Sequence, residues 1–141
     1  MSICRLVGMV FSGAGVARQS LEPLMADIRR VSGLRELLPE TLNVRLGHPY
    51  RLHPDPDLTF WAHEWNHPED VFLQRCRIFA LDALIMRTST NYHGDSVLEI
   101  MAEQRLRATF GLDDGSQVEV EVHEEQPNEG MHPAAQKRGG G

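Results

Sequence analysis

Apolar and polar positions in this chain alternate between two periods, most of them short and strand-like. Residues 5–11 (RLVGMVF) are apolar and β-prone and run into Ser12-Gly13-Ala14-Gly15, which reads as a strand ending in a tight, glycine-permitted loop. Leu21, Leu24, Met25, Ile28 and Val31 then recur at helical spacing, with Ser20 as N-cap, Pro23 in the first turn and Gly33 as the stop. The second half of 39–46 (PETLNVRL) alternates as a strand does. Residues 47–70 are rich in His, Pro and Asp and hold no clear period. They read as a long, lid-like loop with one short strand near 58–62, and a loop of that length in a compact domain is often functional. Residues 72–80 and 82–88 read as a β-ribbon and 97–101 as a further strand, followed by a helical turn at 103–107. Asp113-Asp114-Gly115 is a hairpin-grade turn, and 117–123 (QVEVEVH) alternates strictly, like a half-buried strand. One helix among about six short strands predicts a mainly β fold, a small barrel rather than a layered α/β domain.

Past residue 123 the period disappears, and EEQPNEGMHPAAQKRGGG predicts a flexible tail. The expected organisation is therefore one domain over 1–123 and a tail over 124–141. A chain of 141 residues suits a single domain, which at this size hides roughly two-thirds of its unfolded surface and needs no disulfide or metal to hold together. Cys4 and Cys76 are too few for a secreted disulfide framework and point to a reducing cytoplasm. No apolar run reaches the roughly 18 residues of a membrane span, and residues 1–5 lack a secretory layout. The formal charge of −6 argues against a nucleic-acid backbone or an anionic membrane as main partner. It leaves room for one small phosphorylated ligand, which backbone N–H groups, one or two basic side chains and a divalent cation can hold.

Three segments carry candidate chemistry. Gly13 and Gly15 lie where a strand turns away, so backbone N–H groups there can form an anion nest; the alternative is an ordinary turn, since neither a P-loop nor a Rossmann fingerprint is present. In an extended segment Thr41 and Asn43 point the same way, offering a hydroxyl and an amide oxygen as hard ligands for Mg²⁺, or simply making turn hydrogen bonds. Glu99 interrupts an apolar strand, where a carboxylate needs a reason to be: it can take a proton from a substrate hydroxyl or pair with an arginine. Arg105 and Arg107 can meet a phosphate or belong to a solvated helical turn.

Taken in order, Gly-x-Val-x-x-Gly-x-Gly at 8–15, Pro-x-Thr-Leu-Asn-Val at 39–44, Leu-Glu-Ile-x-Ala-x-x-x-Leu-Arg at 98–107 and Leu-x-Asp-Gly-x-x-Val-x-Val at 112–120 resemble the CTP-dependent riboflavin kinases typical of archaea. The resemblance spans residues 6–122 and implies a compact six-stranded cradle-loop β-barrel that phosphorylates riboflavin to FMN with CTP. It implies that Gly13, Ala14, Gly15, Val16, Ala17 and Arg18 wrap the cytidine nucleotide, and that Gln104, Arg105, Leu106 and Arg107 complete its site. It further implies Thr41 and Asn43 as Mg²⁺ ligands, and Thr90 and Glu99 on the flavin side near the ribityl 5′-hydroxyl, with Glu99 as the base. The expected partners are thus riboflavin or FMN and CTP or CDP, with no nucleic acid, no membrane and a monomeric chain. Family members often begin with a winged-helix domain, for which this chain leaves no room.

The chain departs from the family where Glu40 replaces the glycine of Pro-Gly-Thr-Leu-Asn. If that glycine serves positive φ or a close phosphate approach, Glu40 strains or crowds the site; a carboxylate there can instead join the metal shell. This substitution motivates a second function, a barrel that binds nucleotide or flavin without catalysis. A third comes from His63-Glu64-Trp65-Asn66-His67, a literal H-E-x-x-H, the signature of zinc hydrolases. That chemistry needs both histidines on one helical face, and Pro68 biases His67 away from helical geometry.

Overall fold

The computed structural model describes residues 2–13, 21–91 and 93–124. Seven strands form one antiparallel sheet: β1 (Ser2–Phe11), β2 (Leu42–Leu46), β3 (Thr59–Phe60), β4 (Val71–Ile78), β5 (Leu81–Thr88), β6 (Val97–Ala102) and β7 (Gln117–Glu124). Their order is β3-β4-β5-β6-β2-β1-β7, and β4 also pairs with β7 through Cys76↔Val122, Arg77↔Glu121 and Ile78↔Val120. Six strands thereby close into a barrel, and the two-residue β3 hangs on its outside against β4. The six-stranded barrel expected from the sequence is the fold. β7 runs one residue further than the expected domain boundary, and the rest of the predicted tail, residues 125–141, lies outside the described residues.

Side-chain alternation sends one set of residues into the barrel and, on β4, β5 and β6, a second set into an outer apolar layer. Leu6, Val10, Leu42, Val44, Leu46, Ile85, Leu98, Ile100, Val118, Val120 and Val122 fill the barrel interior. Leu73, Leu84, Met86 and Met101 face outward and meet Leu21, Leu24, Met25 and Ile28 around helix α1 (Met25–Ser32), entered through a 3₁₀ turn at Glu22–Leu24. The unbroken run Ala83-Leu84-Ile85-Met86 follows from this: β5 is buried on both sides, under the barrel core and under α1. Gly33 ends the helix in the left-handed region (φ 82°), its N–H donating to the Arg29 carbonyl at 3.0 Å. The expected N-cap, Ser20, lies outside the described residues.

Two buried polar side chains tie loops to the barrel. Arg87 is 8% exposed and donates to the carbonyls of Tyr50 (2.5 Å), Asp95 (2.9 Å) and Val97 (3.2 Å), tying both flanking loops to one end of the barrel. Gln74 takes the Tyr50 hydroxyl as acceptor at 3.0 Å and accepts from the His53 N–H at 2.8 Å.

The stretch 47–70 is irregular over most of its length but pinned. The Asp55 N–H donates to the Leu73 carbonyl, the Asp55 carboxylate caps a 3₁₀ turn at Pro56–Leu58, and Leu58 and Phe60 are buried. A four-residue helix, α2 (Ala62–Trp65), ends at Asn66 in left-handed conformation (φ 52°). The zinc reading of H-E-x-x-H fails on this geometry. His63 is on the helix and exposed, whereas His67 lies beyond its end, buried, with Nδ1 2.8 Å from the Glu69 carbonyl, so the two do not share a helical face. Among the described residues no three His, Cys, Asp or Glu side chains gather to hold a metal.

Two boundaries differ from expectation. β4 stops at Ile78, and Phe79-Ala80 form the hairpin turn with φ of 52° and 64°, a mirror-image turn that usually announces itself with Asn-Gly. The helical turn expected at 103–107 is instead α3 (Leu106–Phe110), closed by left-handed Gly111; its Phe110 stacks on Phe79 at 4.2 Å. No helix among the described residues is long and apolar enough to cross a membrane.

Candidate functional site

Antiparallel register lays a row of side chains across the outer face of the barrel. Phe11 on β1 is opposite Asn43 on β2, Asn43 is opposite Glu99 on β6, and Glu99 is opposite Met86 on β5. Because directly opposed residues share a face, Asn43 and Glu99 stand side by side while their neighbours Leu42, Val44, Leu98 and Ile100 point into the core. Thr41, two residues before Asn43, joins the same side, and its hydroxyl bonds the Glu99 carboxylate. The sequence-based expectation that Thr41 and Asn43 face one point therefore gains a third oxygen donor, a carboxylate from the next strand.

The electrostatics of this cluster are unusual for a surface. Burial pushes the Glu99 carboxyl above its ordinary range, partly offset by His93, the Thr41 hydroxyl and Arg87. Asn43 is 8% exposed, and its buried Oδ1 accepts no hydrogen bond among the described residues. A buried amide oxygen without a donor costs free energy unless something else occupies its lone pairs. Hydroxyl, amide oxygen and carboxylate are the hard donor set that Mg²⁺ takes, so the residues present fit the cation that the resemblance implies.

The glycine turn arrives at the same place. A Cβ placed on Gly13 would collide with the Asn43 side-chain amide, so the absence of a side chain there is a close-packing requirement. Gly13 is not in the left-handed region, so φ is not the reason for glycine. Next to it, Ser12 Oγ donates to Asp114 Oδ1 at 2.9 Å, and Arg107 Nη2 reaches the same oxygen at 2.5 Å. These bonds from Arg107 and Ser12 hold the Asp114 carboxyl below its ordinary range. The turn, the β7 hairpin and α3 are thus stitched together beside Asn43. Ala14, Gly15, Val16, Ala17 and Arg18 lie outside the described residues.

Gln104, Arg105, Leu106 and Arg107 line a cleft of about 100 Å³ together with Glu40, Thr41 and Leu42. Thr41 belongs both to this cleft and to the polar row, so it joins the two. Glu40 is not left-handed, and its carboxylate lies 3.4 Å from Arg105 Nη1, so the expected backbone strain does not arise. Thr90 has different company: its N–H donates to Glu69 Oε1 at 3.2 Å, in the loop after β5. Two further side chains belong to the site and are absent from the sequence-based candidates. His93 sits edge-on to Phe11 at 6.0 Å and acts electrostatically on Glu99, and the Arg45 guanidinium lies over the Phe11 ring at 4.4 Å. The strand period alone places Arg45 on the outer face; nothing local places His93.

The fold and site together are those of a closed six-stranded β-barrel with a glycine turn packed on an outward Thr-x-Asn pair. The family model for the CTP-dependent riboflavin kinase domain, described as a domain of unknown function (DUF120), matches residues 10–122. The chain belongs to that family. It is 29% identical over 127 residues to a riboflavin kinase of Archaeoglobus fulgidus, covering 84% of this chain and 54% of that one. It is 32% identical over 127 residues to a riboflavin kinase of Pyrobaculum arsenaticum, covering 84% and 60%. A riboflavin kinase of Pyrobaculum islandicum is 29% identical over 128 residues, again with 84% and 60% covered. The chain therefore spans little more than half the length of the curated relatives it matches.

Proposed function

We propose that this domain transfers a phosphate from CTP to riboflavin, giving FMN and CDP. The observation that carries the reading is the meeting of Gly13, Thr41, Asn43 and Glu99 on one patch, with the buried Asn43 Oδ1 accepting no hydrogen bond among the described residues. In the proposed arrangement Gly13, with Ala14, Gly15, Val16, Ala17 and Arg18 beyond it, wraps the cytidine nucleotide, and Gln104, Arg105, Leu106 and Arg107 hold it from the other side. Thr41 and Asn43 would hold Mg²⁺, which supplies charge neutralisation for the donor's phosphates. Glu99 and Thr90 take the flavin side. Glu99 accepts the proton of the ribityl 5′-hydroxyl as that oxygen bonds the terminal phosphorus; the bond from phosphorus to the bridging oxygen breaks, and CDP leaves with the electron pair. A base raised by burial is suited to this, because a carboxylate with its ordinary pKa is a weak proton acceptor at neutral pH. In this reading the enzyme works in the cytoplasm as a monomer, with Cys4 and Cys76 as free thiols.

The direct test is to incubate purified protein with CTP, riboflavin and Mg²⁺ and to follow FMN and CDP by chromatography, with binding of both substrates measured by calorimetry. FMN and CDP should appear in equal amounts. Binding of both substrates without FMN would instead make the domain a non-catalytic nucleotide- or flavin-binding barrel.

Gly13→Ala tests the contact itself. The obstructed group is the end of a side chain, so the fold yields cheaply by turning the Asn43 amide, at the expense of its orientation. A drop in turnover of about 10²-fold is expected, as for other misplacements on the scale of an ångström. The melting temperature should stay within a few degrees of the unaltered protein. Unchanged turnover would mean that the packing of Gly13 on Asn43 has no part in the chemistry.

A further inference from the structure

The cleft beside Thr41 shows two arginines to an incoming anion, and a carboxylate already engages each. The pairs are built differently. Arg107 is bonded to Asp114, which also accepts from Ser12, so this guanidinium is fixed to the glycine turn. Arg105 meets Glu40 at 3.4 Å from the opposite wall of the cleft, with 66% of its side chain exposed against 35% for Glu40. An exposed pair of this kind is weak and opens readily.

We propose that Glu40 sets the anion affinity of this cleft: it is a carboxylate latch on Arg105 that a nucleotide phosphate must displace in order to bind. The inference rests on reading the cleft as the nucleotide's. A guanidinium presents the same fork of donors to carboxylate and to phosphate, so the two compete for Arg105 one for one. Once displaced, the carboxylate stays in the cleft and repels the phosphate that replaced it. Both effects weaken binding, and both apply to the diphosphate product as much as to the triphosphate donor. Glu40 therefore hastens product release at the expense of affinity, which matters where release governs turnover.

The experiment is a cycle of Glu40→Gln, Arg105→Gln and the double variant, with Kd for CDP measured calorimetrically at low salt in the presence of Mg²⁺ and folding checked by thermal melting. Glu40→Gln should tighten CDP about tenfold, and the gain should shrink as salt screens it. In the Arg105→Gln background the same change should gain threefold or less. Glu40→Ala should behave like Glu40→Gln. Equal or weaker binding by Glu40→Gln, or an equal gain in both backgrounds, overturns the latch while leaving the nucleotide site standing. A folded, unaltered protein that binds neither CDP nor CTP overturns both.

Discussion

Glu99→Gln should lower turnover by about 10²- to 10⁴-fold, the usual worth of a general base, while raising the melting temperature at neutral pH. The two effects share one cause. Burial holds the Glu99 proton more tightly in the folded protein than in the unfolded chain. The native state therefore gains stability as pH falls through the raised pKa and loses it as pH rises past that value, so the ionised carboxylate is a net burden at pH 7. Glutamine keeps the shape and a carbonyl for the Thr41 hydroxyl but removes the charge. The unaltered enzyme should lose activity on the acidic side with a midpoint above the ordinary carboxylate range, and the variant's residual rate should lack that limb. Parallel pH–rate profiles for the two proteins would remove Glu99 from the role of base, and a lower melting temperature would contradict the account of its environment.

The second large effect is expected of Thr41→Ala/Asn43→Ala. If the two hold Mg²⁺ as proposed, their loss should cost at least about 10²-fold in turnover, given that even outer partners of a metal site cost 10–100-fold. The effects on stability oppose one another. Truncating Asn43 deletes a buried acceptor that has no donor among the described residues, whereas truncating Thr41 takes a hydrogen bond from the Glu99 carboxylate. A folded protein with a modestly lowered melting temperature is expected. A Mg²⁺ titration of rate and a melting curve read both outcomes. Normal turnover of CTP and riboflavin by the double variant would show the metal assignment to be wrong.

Much of this arrangement was legible in the residues because strand physics is local. The alternation in Leu42-Asn43-Val44 and Leu98-Glu99-Ile100 marks which side chains leave the core, and Asp113-Asp114-Gly115 marks its own turn. What alternation does not contain is which strand lies beside which. That Asn43 faces Glu99 and Phe11 is a fact of register between segments more than 30 positions apart; the family resemblance gives each of Asn43 and Glu99 a role but does not set them side by side. His93 was missed because it sits in a loop, where no period fixes direction. The turn at Phe79-Ala80 was missed because it uses residues without the glycine or asparagine that φ above zero normally demands; stacking of Phe79 on Phe110 accompanies the choice. From the sequence Glu40 reads as a source of backbone strain or as a metal ligand, whereas it pairs with an arginine from beyond β6 that no local pattern reveals.

The strict inside–outside division of β2 and β6 has a consequence for how this protein can change. Leu42 and Asn43, or Leu98 and Glu99, are consecutive in the chain yet answer to separate demands, cohesion for one and reactivity for the other. Slipping β2 by one position would bury the Asn43 amide, and slipping β6 the Glu99 carboxylate, each while exposing a leucine, so pairing errors are penalised twice. Correctly paired, the two sets are insulated: the lumen can be refilled with other aliphatic side chains without disturbing the donors on the outer wall, and new specificities can be written on that wall without loosening the barrel.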